Sequence, residues 1–310
     1  MTADECCSKR GFVTFRLAHL SDLHTGPIPP FRAADVLNKR LTGYLNWRAG
    51  RRDIHNMDML AALTADIRAA RPDHIAATGD LVNIGLPQEF DAGLRQVQAL
   101  GAPADVSLIP GNHDAYVTGS LDAMIQRCGA YMSGDGAAAP AFPFLRVRGG
   151  AALIGVNTGV PTLPFLATGR VDRAQLAALG RMLDETRAQN FTRIVMIHHP
   201  PHFSGSRWGR RLTNALEVEA LLKRHGAELV IHGHNHRHSI AWLNGPLKKI
   251  PVIGVASASA LPGSPHHRAE WHLYEIDGAG ADIRIRITVR GRTADGSFGL
   301  ISETALAPAA

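Results

Sequence analysis

Three cysteines in 310 residues (Cys6, Cys7 and Cys128) are too few for a disulfide framework or a four-cysteine zinc site. So few thiols fit a reducing, cytoplasmic setting. Aromatic residues make up only 6% of the chain. That argues against a nucleic-acid partner, because a basic groove that tracks a strand also needs rings on which bases stack. No stretch approaches the ~18 apolar residues of a bilayer-crossing helix. The opening segment MTADECCSKRGFVTF sets acid and paired cysteines where a signal peptide needs a basic start and an apolar run, so it reads as unprocessed. Cys6-Cys7 has no adjacent membrane-binding pattern to support palmitoylation. No repeat, long linker or domain boundary interrupts the sequence, which reads as a single domain over 1–310. Lysine is scarce, so the net charge of +6 is mostly arginine. The charge permits an anionic partner without naming one.

What is present is an apolar content of 45%, enough for a packed core, in an alternating pattern of short strands and amphipathic helices. Strands are expected at Phe12–Leu20, His74–Ala77, Asp105–Ile109, Ala151–Val156, Arg193–Ile197 and Glu228–Ile231. Helices are expected at Met57–Ala70, Glu89–Leu100, Asp172–Gln189 and Asn214–His225. A β-rich part follows over about 238–290, with strands at Ile240–Leu243, Ile250–Val255, Glu270–Ile276 and Asp282–Val289, and Ala305–Ala310 reads as a frayed tail. The alternation of DIRIRITV predicts one solvated face. The whole predicts an α/β domain with two sheets and outer helices. Two segments break the rhythm just after strand ends: 27–58, containing NKRLTGYLNWRAGRR, and 200–213, containing His202, Arg207, Trp208, Arg210 and Arg211.

Of the 16 histidines, eight fall between His198 and His238. Five strand-like segments end in metal-type ligands: Asp22 and His24; Asp80; Asn112 and His113; His198; His234 and His236. In a mainly parallel sheet such ends converge on one edge. Residues two apart in extended chain point the same way, so Asp22-x-His24 and His234-x-His236 can each aim two ligands at one place. These candidates are too many for one tetrahedral ion. Mixed imidazole, carboxylate and amide ligands suit Zn, Mn or Fe. Two divalent ions against two aspartates leave a site of about +2, suited to a hydroxide and a phosphoryl oxygen.

The ordered series DLH, GDLVN, GNHD, HHPP and GHNH, from Asp22 to His236, resembles the calcineurin-like metallophosphoesterase superfamily. The resemblance implies an αββα sandwich of two mixed β-sheets flanked by helices. It implies two divalent metal ions, one held by Asp22, His24, Asp80 and His236, the other by Asp80, Asn112, His198 and His234, with Asp80 bridging. His198, two residues before a proline, is favoured over His199 as the ligand. By similarity His113 contacts the phosphate and protonates the leaving oxygen, with Asp114 orienting it. The implied chemistry is hydrolysis by metal-bound hydroxide without a covalent enzyme intermediate.

His199, His202 and Arg207 are candidate substrate contacts. His19, His74 and His232 read as packed histidines, His238 as a neighbour of the site, and His266 and His267 as solvated loop residues. In the 27–58 insertion, Leu37, Leu41, Tyr44, Leu45 and Trp47 recur at helical spacing between Lys39, Arg40, Arg48, Arg51 and Arg52. One reading is an amphipathic helix packed on the domain with a solvated basic face. The other is a cap over 37–52 that meets an anionic or lipidic substrate, or a membrane surface at the inner leaflet. The first functional expectation is a phosphodiesterase acting on cyclic nucleotides or other small diesters. The alternative resembles a UDP-diacylglucosamine pyrophosphatase acting on a nucleotide-lipid. A nuclease has only the basic charge behind it, and a non-catalytic scaffold would need a missing ligand, where none is missing. Oligomeric state leaves no mark in the sequence.

Overall fold

Alternating burial builds the layers. In β6 (Thr192–Met196) and β7 (Leu229–His232), Ile194, Met196, Leu229 and Ile231 face one core, while Val195 and Val230 face another. Strands buried on both faces read as continuous apolar runs, as these do. The computed structural model describes residues 14–261, 268–278, 283–293 and 297–306. Its first sheet runs β12-β11-β10-β1-β2-β3 and its second β4-β5-β6-β7-β9-β8. The remaining strands are β1 (Phe15–Leu20), β2 (His74–Ala77), β3 (Val106–Leu108), β4 (Phe144–Arg148), β5 (Ala151–Gly155), β8 (Ser239–Leu243), β9 (Ile250–Gly254), β10 (Glu270–Asp277), β11 (Arg284–Arg292) and β12 (Phe298–Leu306). Both sheets are mixed. β1, β2 and β3 are parallel, as are β5, β6, β7 and β9, while β10, β11 and β12 pair antiparallel on the edge of β1.

The main core lies between the sheets, where Leu17, Leu20 and Tyr274 of the first meet Ile194, Met196 and Ile231 of the second. Helices α3 (Met57–Ala70) and α4 (Pro87–Leu100) contribute Leu60, Leu63, Ile67, Phe90 and Val97 to it, and α5 (Ser120–Cys128) adds Met124. The second core sits under α6 (Arg173–Ala188) and α7 (Ala215–His225), through Leu179, Leu183, Val218 and Leu222. The fold is therefore the expected αββα sandwich. Helix α4 begins at Pro87 rather than Glu89, because the Glu89 carboxylate accepts the N–H groups of Asn83, Ile84 and Leu86 and so anchors the first turn.

The structure corrects one expectation and adds two features. The β-rich part does not stop near residue 290: β12 continues to Leu306, which is buried, so Ala305 and Leu306 belong to a strand rather than a frayed tail. This part also serves both layers, β8 and β9 completing the second sheet and β10 to β12 the first. The strand at β4 had no expectation; it pairs antiparallel with β5. In β11 the predicted alternation holds, Ile285, Ile287 and Val289 being buried. Cys6, Cys7, the start of the Phe12 strand, His266, His267, Asp282 and the chain beyond Leu306 lie outside the described residues.

The insertion forms α1 (Lys39–Asn46), a π-helical turn over Trp47–Arg51 and a short α2 (Arg52–Ile54). Its polarity is the reverse of a leucine-packed helix. Leu37, Leu41 and Leu45 face solvent, at 78%, 45% and 55% exposure. The inward face is Gly43, against Tyr116 and Ile84, together with Lys39, Arg40 and Arg51. Arg40 donates to the carbonyls of Ile84 and Gly85 and to Ser120 Oγ. The domain surface beneath α1 is rich in backbone acceptors, and it takes guanidinium in preference to leucine.

Candidate metal centre

Each ligand-bearing turn follows the carboxyl end of a parallel strand, and backbone hydrogen bonds stitch the turns together. Asp22 N–H donates to Gly79 O, His24 N–H to Asp80 O, and Gly233 N–H to His198 O. Five of the expected ligand residues hold left-handed backbone: Asp22 (φ 55), His24 (φ 42), Asp80 (φ 52), His234 (φ 68) and His236 (φ 54). Such conformations cost about 1–3 kcal/mol each for non-glycine residues and concentrate at functional sites. The glycine of GNHD is needed for close approach: a Cβ on Gly111 would lie 2.8 Å from His198 Cε1. Gly79 sits at φ 96, where a side chain would be strained as well as crowded.

All seven candidates meet, in two groups that share Asp80. In the first, His24 Nε2 lies 3.2 Å from His236 Nε2, His236 Nε2 lies 3.1 Å from Asp22 Oδ1, and His24 Nε2 lies 3.9 Å from Asp80 Oδ2. In the second, His198 Nε2 lies 3.3 Å from Asp80 Oδ2 and 3.3 Å from Asn112 Oδ1, which is 2.9 Å from His234 Nδ1. The opposite ring nitrogens face backbone carbonyls: His24 Nδ1 that of Val82, His198 Nδ1 that of Thr78, and His234 Nε2 that of Arg210. A carbonyl only accepts, so those nitrogens carry the protons and the inward ones present lone pairs. Each aspartate also spends one oxygen on a backbone N–H, Asp22 Oδ2 on His234 and Asp80 Oδ1 on His113.

What remains is a set of acceptors facing acceptors, among them Asp22 Oδ1, buried with no hydrogen-bond donor. Cations placed between them would satisfy that arrangement. Burial opposes charge on His198, but with no metal ion present Asp80 outweighs it and raises the imidazole to about 9, so a proton on its inward nitrogen stands where a cation would otherwise sit. Burial, with His55 and His113 close by, pushes His24 well below the usual imidazole range, which leaves it neutral and able to ligate. Nitrogen, carboxylate and amide donors of this kind fit Mn, Fe or Zn.

His113 and Asp114 are placed differently from expectation. The His113 Nδ1 proton goes to the Asn83 carbonyl. Asp114 does not touch the ring. Its Oδ1 accepts from Leu81 and Val82 N–H and its Oδ2 from Gly111 N–H, so it ties the GDLVN turn to the GNHD turn. Burial and the charge on Asp80 push its carboxyl up to about 7, against which the three N–H donors hold the anion. The orienting group for His113 is therefore Asn83. His113 Nε2 receives a hydrogen bond of 2.9 Å from Arg51 Nη1. Burial, with Arg51 alongside, pushes the His113 imidazole down to about 4.

A cavity of about 300 Å³ opens beside Asn112 and His113, lined also by Lys39, Gly43, Trp47, Arg51, Tyr116, Phe165 and Arg210. Lys39 Nζ donates to Thr162 Oγ1 and the Leu166 carbonyl and sits 4.4 Å from the Tyr116 ring centre. Arg210 Nη2 donates to the His234 carbonyl. His199 does not line this cavity: its ring is buried behind His234, with Nδ1 on Thr158 Oγ1 and Nε2 on the Ala167 carbonyl. Neither His202 nor Arg207 lines the cavity; the cation that the 200–213 segment contributes is Arg210.

Lys39 and Arg51 were legible only as part of a stripe. Lys39, Gly43, Trp47 and Arg51 recur every four residues and all border the cavity. His55 carries no such signal. Its ring lies 4.4 Å from His24, and its Nδ1 pairs with Ser259 Oγ. His19, His74 and His232 are buried as expected, and His238 bonds His272.

Residues 15–238 match the calcineurin-like phosphoesterase family. A glycerophosphodiester phosphodiesterase from Enterobacter lignolyticus is 37% identical over 98 residues, which span 32% of this chain and 29% of that protein. Among solved structures, a dimetal phosphatase from Danio rerio has a TM-score of 0.53 at 13% identity, covering 94% of this chain and 99% of that one. A purple acid phosphatase from yellow lupin seeds has a TM-score of 0.59 at 12% identity, covering 94% of this chain and 53% of that one. At such identities the structural likeness speaks for the fold alone.

Proposed function

The chain belongs to the calcineurin-like phosphoesterase family, and on that premise we propose that it hydrolyses phosphodiesters with the aid of two divalent metal ions. One observation carries the reading: the single carboxylate oxygen Asp80 Oδ2 faces His24 in one group and His198 in the other. A shared aspartate between two sets of lone pairs is what a pair of neighbouring cations requires. Asp22, His24, Asp80 and His236 would hold one ion, and Asp80, Asn112, His198 and His234 the other. Bound there, such ions supply Lewis acidity and a water of lowered pKa for in-line attack on phosphorus. The chain's own residues do the rest. The proton-bearing ring nitrogens of His24, His198 and His234 stay fixed on carbonyls, keeping the ligands aimed. Asp114 holds two ligand turns in register. Arg51, Lys39 and Arg210 present positive charge to an anion in the cavity. The partial likeness to a glycerophosphodiester phosphodiesterase supports diesters as the substrate class.

Peripheral contact with a lipid surface is a second reading, supported by the outward leucines of α1 and the exposed Arg48 and Arg52 beside them. The scarcity of cysteine supports a cytoplasmic setting. One experiment tests both readings. Protein carrying about two Mn(II) per chain should hydrolyse bis(p-nitrophenyl) phosphate, and anionic liposomes should bind it and raise its rate. No hydrolysis with Mn, Fe or Zn at full loading would overturn the enzyme reading; indifference to liposomes would overturn the lipid one.

A further inference from the structure

The insertion ends on a histidine that the seven-ligand arrangement does not use. His55 follows α2 and lies half-buried at the edge of the first ligand group. Its ring centre is 4.4 Å from that of His24 and 5.8 Å from that of His236. One ring nitrogen from each of His24, His55 and His236 falls within 4.8 Å of the other two, the same spacing that joins Asp22, His24, Asp80 and His236. The two sets share His24 and His236. His55 Nδ1 is held by Ser259 Oγ at 2.8 Å, which leaves Nε2 as the nitrogen open to a metal ion. A metal-ligating histidine characteristically rests its second nitrogen on a fixed oxygen, and Ser259 supplies one.

The backbone fixes His55 relative to the first metal turn. His55 bridges Ala260 in antiparallel fashion, Asn56 N–H donates to the Ser259 carbonyl, and Leu261 N–H donates to that of Ile54. The same segment is tied to the turn that carries Asp22. Ala258 N–H donates to the Ser21 carbonyl, and Ser257 Oγ donates to that of Asp22. Ser257, Ala258, Ser259 and Ala260 are all buried. One buried piece of chain therefore sets Asp22 and His55 together, although they are far apart in sequence.

We propose that His55 is a fifth protein ligand of the first metal ion, through Nε2, alongside Asp22, His24, Asp80 and His236. The inference rests on the two-ion part of the proposed function and not on the choice of substrate. The two sets close on one ion by a small inward turn of the His55 ring, which its half-buried place at the rim allows. The ligands are then three imidazoles and two carboxylates, and an octahedral ion keeps one place open. The second ion keeps two imidazoles, one amide and the shared carboxylate, from His198, His234, Asn112 and Asp80. A neutral nitrogen adds affinity without cancelling positive charge. The first site is thus the tighter of the two, filled first and emptied last. Its third imidazole tilts it toward Zn or Fe over Mn, which carboxylate and water suit better. The insertion takes part in the metal centre instead of only covering it.

Crystals of the full chain loaded with Zn(II) give the direct answer: His55 Nε2 should lie about 2.1 Å from the ion on Asp22 and His236. In solution, His55→Gln should still take up two ions at high Zn(II). It should bind the tighter one about tenfold or more weakly in chelator competition, with a smaller loss for Mn(II). At saturating Co(II), His55→Gln should show one fewer contact-shifted imidazole N–H resonance than the unaltered protein. Metal-free His55→Gln should unfold in urea as the unaltered chain does, so that these losses are read on an intact fold; the crystal of the unaltered chain judges the proposal if the variant does not fold. An ion on Asp22 and His236 with His55 Nε2 beyond about 3 Å would overturn the proposal. So would an unchanged affinity of the tighter site or an unchanged number of resonances. Absence of any ion between Asp22 and His236 would strike the two-ion reading together with it. None of these readouts needs turnover, so failure of the phosphodiesterase reading is told apart from failure of this one.

Discussion

Asn112 and His113 are neighbours in sequence but face different tasks. The Asn112 Oδ1 lies between His198 and His234, whereas the His113 ring turns away to Asn83 and Arg51. Asn112→Ala should therefore lower bound metal from about two ions per chain toward one, read by elemental analysis. His113→Ala should keep both ions and lose turnover by about 10- to 100-fold, the usual penalty for removing a group that orients the machinery. Equal metal loss in the two variants would show that both side chains ligate. The same scale explains why Asp114 misled the sequence reading. An aspartate after GNH looks like a partner for that histidine, but its carboxylate is already saturated by three backbone donors from two turns.

At the scale of the element, the orientation of α1 is the feature most open to test. A helix that packs through its leucines loses stability when they become polar and gains when an interior glycine becomes alanine, by about 1 kcal/mol. The observed helix predicts the opposite. A Cβ on Gly43 would come within 2.8 Å of Tyr116 Cζ and 2.9 Å of Ile84 Cγ2, too close for either to give easily. Gly43→Ala should cost about 1–3 kcal/mol in urea unfolding, the range for overpacking. The double change Leu41→Gln, Leu45→Gln should stay within about 0.5 kcal/mol, as exposed substitutions do. If the glutamines cost more than the alanine, the helix sits with its leucines inward. Gly50, at φ 179, interrupts the helix just before Arg51 and lets that side chain turn toward the cavity.

Across the whole molecule, histidines buried in neutral form make the fold sensitive to acid. Burial with His232 nearby pushes His19 down to about 3, and burial with Arg148 and Arg146 nearby does the same to His74. The unfolded chain, with imidazoles near 6.5, binds more protons than the folded one between pH 6.5 and 3. Stability is therefore full above that window and falls as pH drops through it. His74 lies on β2 with Nε2 on Ser107 Oγ, apart from the candidate ligands. His74→Gln should reduce the loss of unfolding free energy between pH 7 and pH 5 by about 2 kcal/mol, measured by denaturant titration on metal-free protein. An unchanged slope would mean that His74 is not held neutral by its burial.

The sequence by itself placed the candidate ligands at strand ends and called for two sheets with outer helices, because a strand's period, a turn's glycine and parallel strands whose ends share an edge are local pattern. The αββα order and the choice of seven ligands were implied by the resemblance of its ordered motifs to a family. It also contained both stripes of the insertion, Leu37-Leu41-Leu45 and Lys39-Gly43-Trp47-Arg51, on opposite sides of one helix. Which stripe turns inward was decided only by the surface beneath, where the carbonyls of Ile84, Gly85 and Leu166 and the ring of His113 accept cations that water would otherwise solvate. The same holds for Asn83, whose backbone oxygen orients His113, and for β12, whose place depends on pairing with β11. Periodicity can report that a face exists, but the energy of burying it depends on partners far away in the chain.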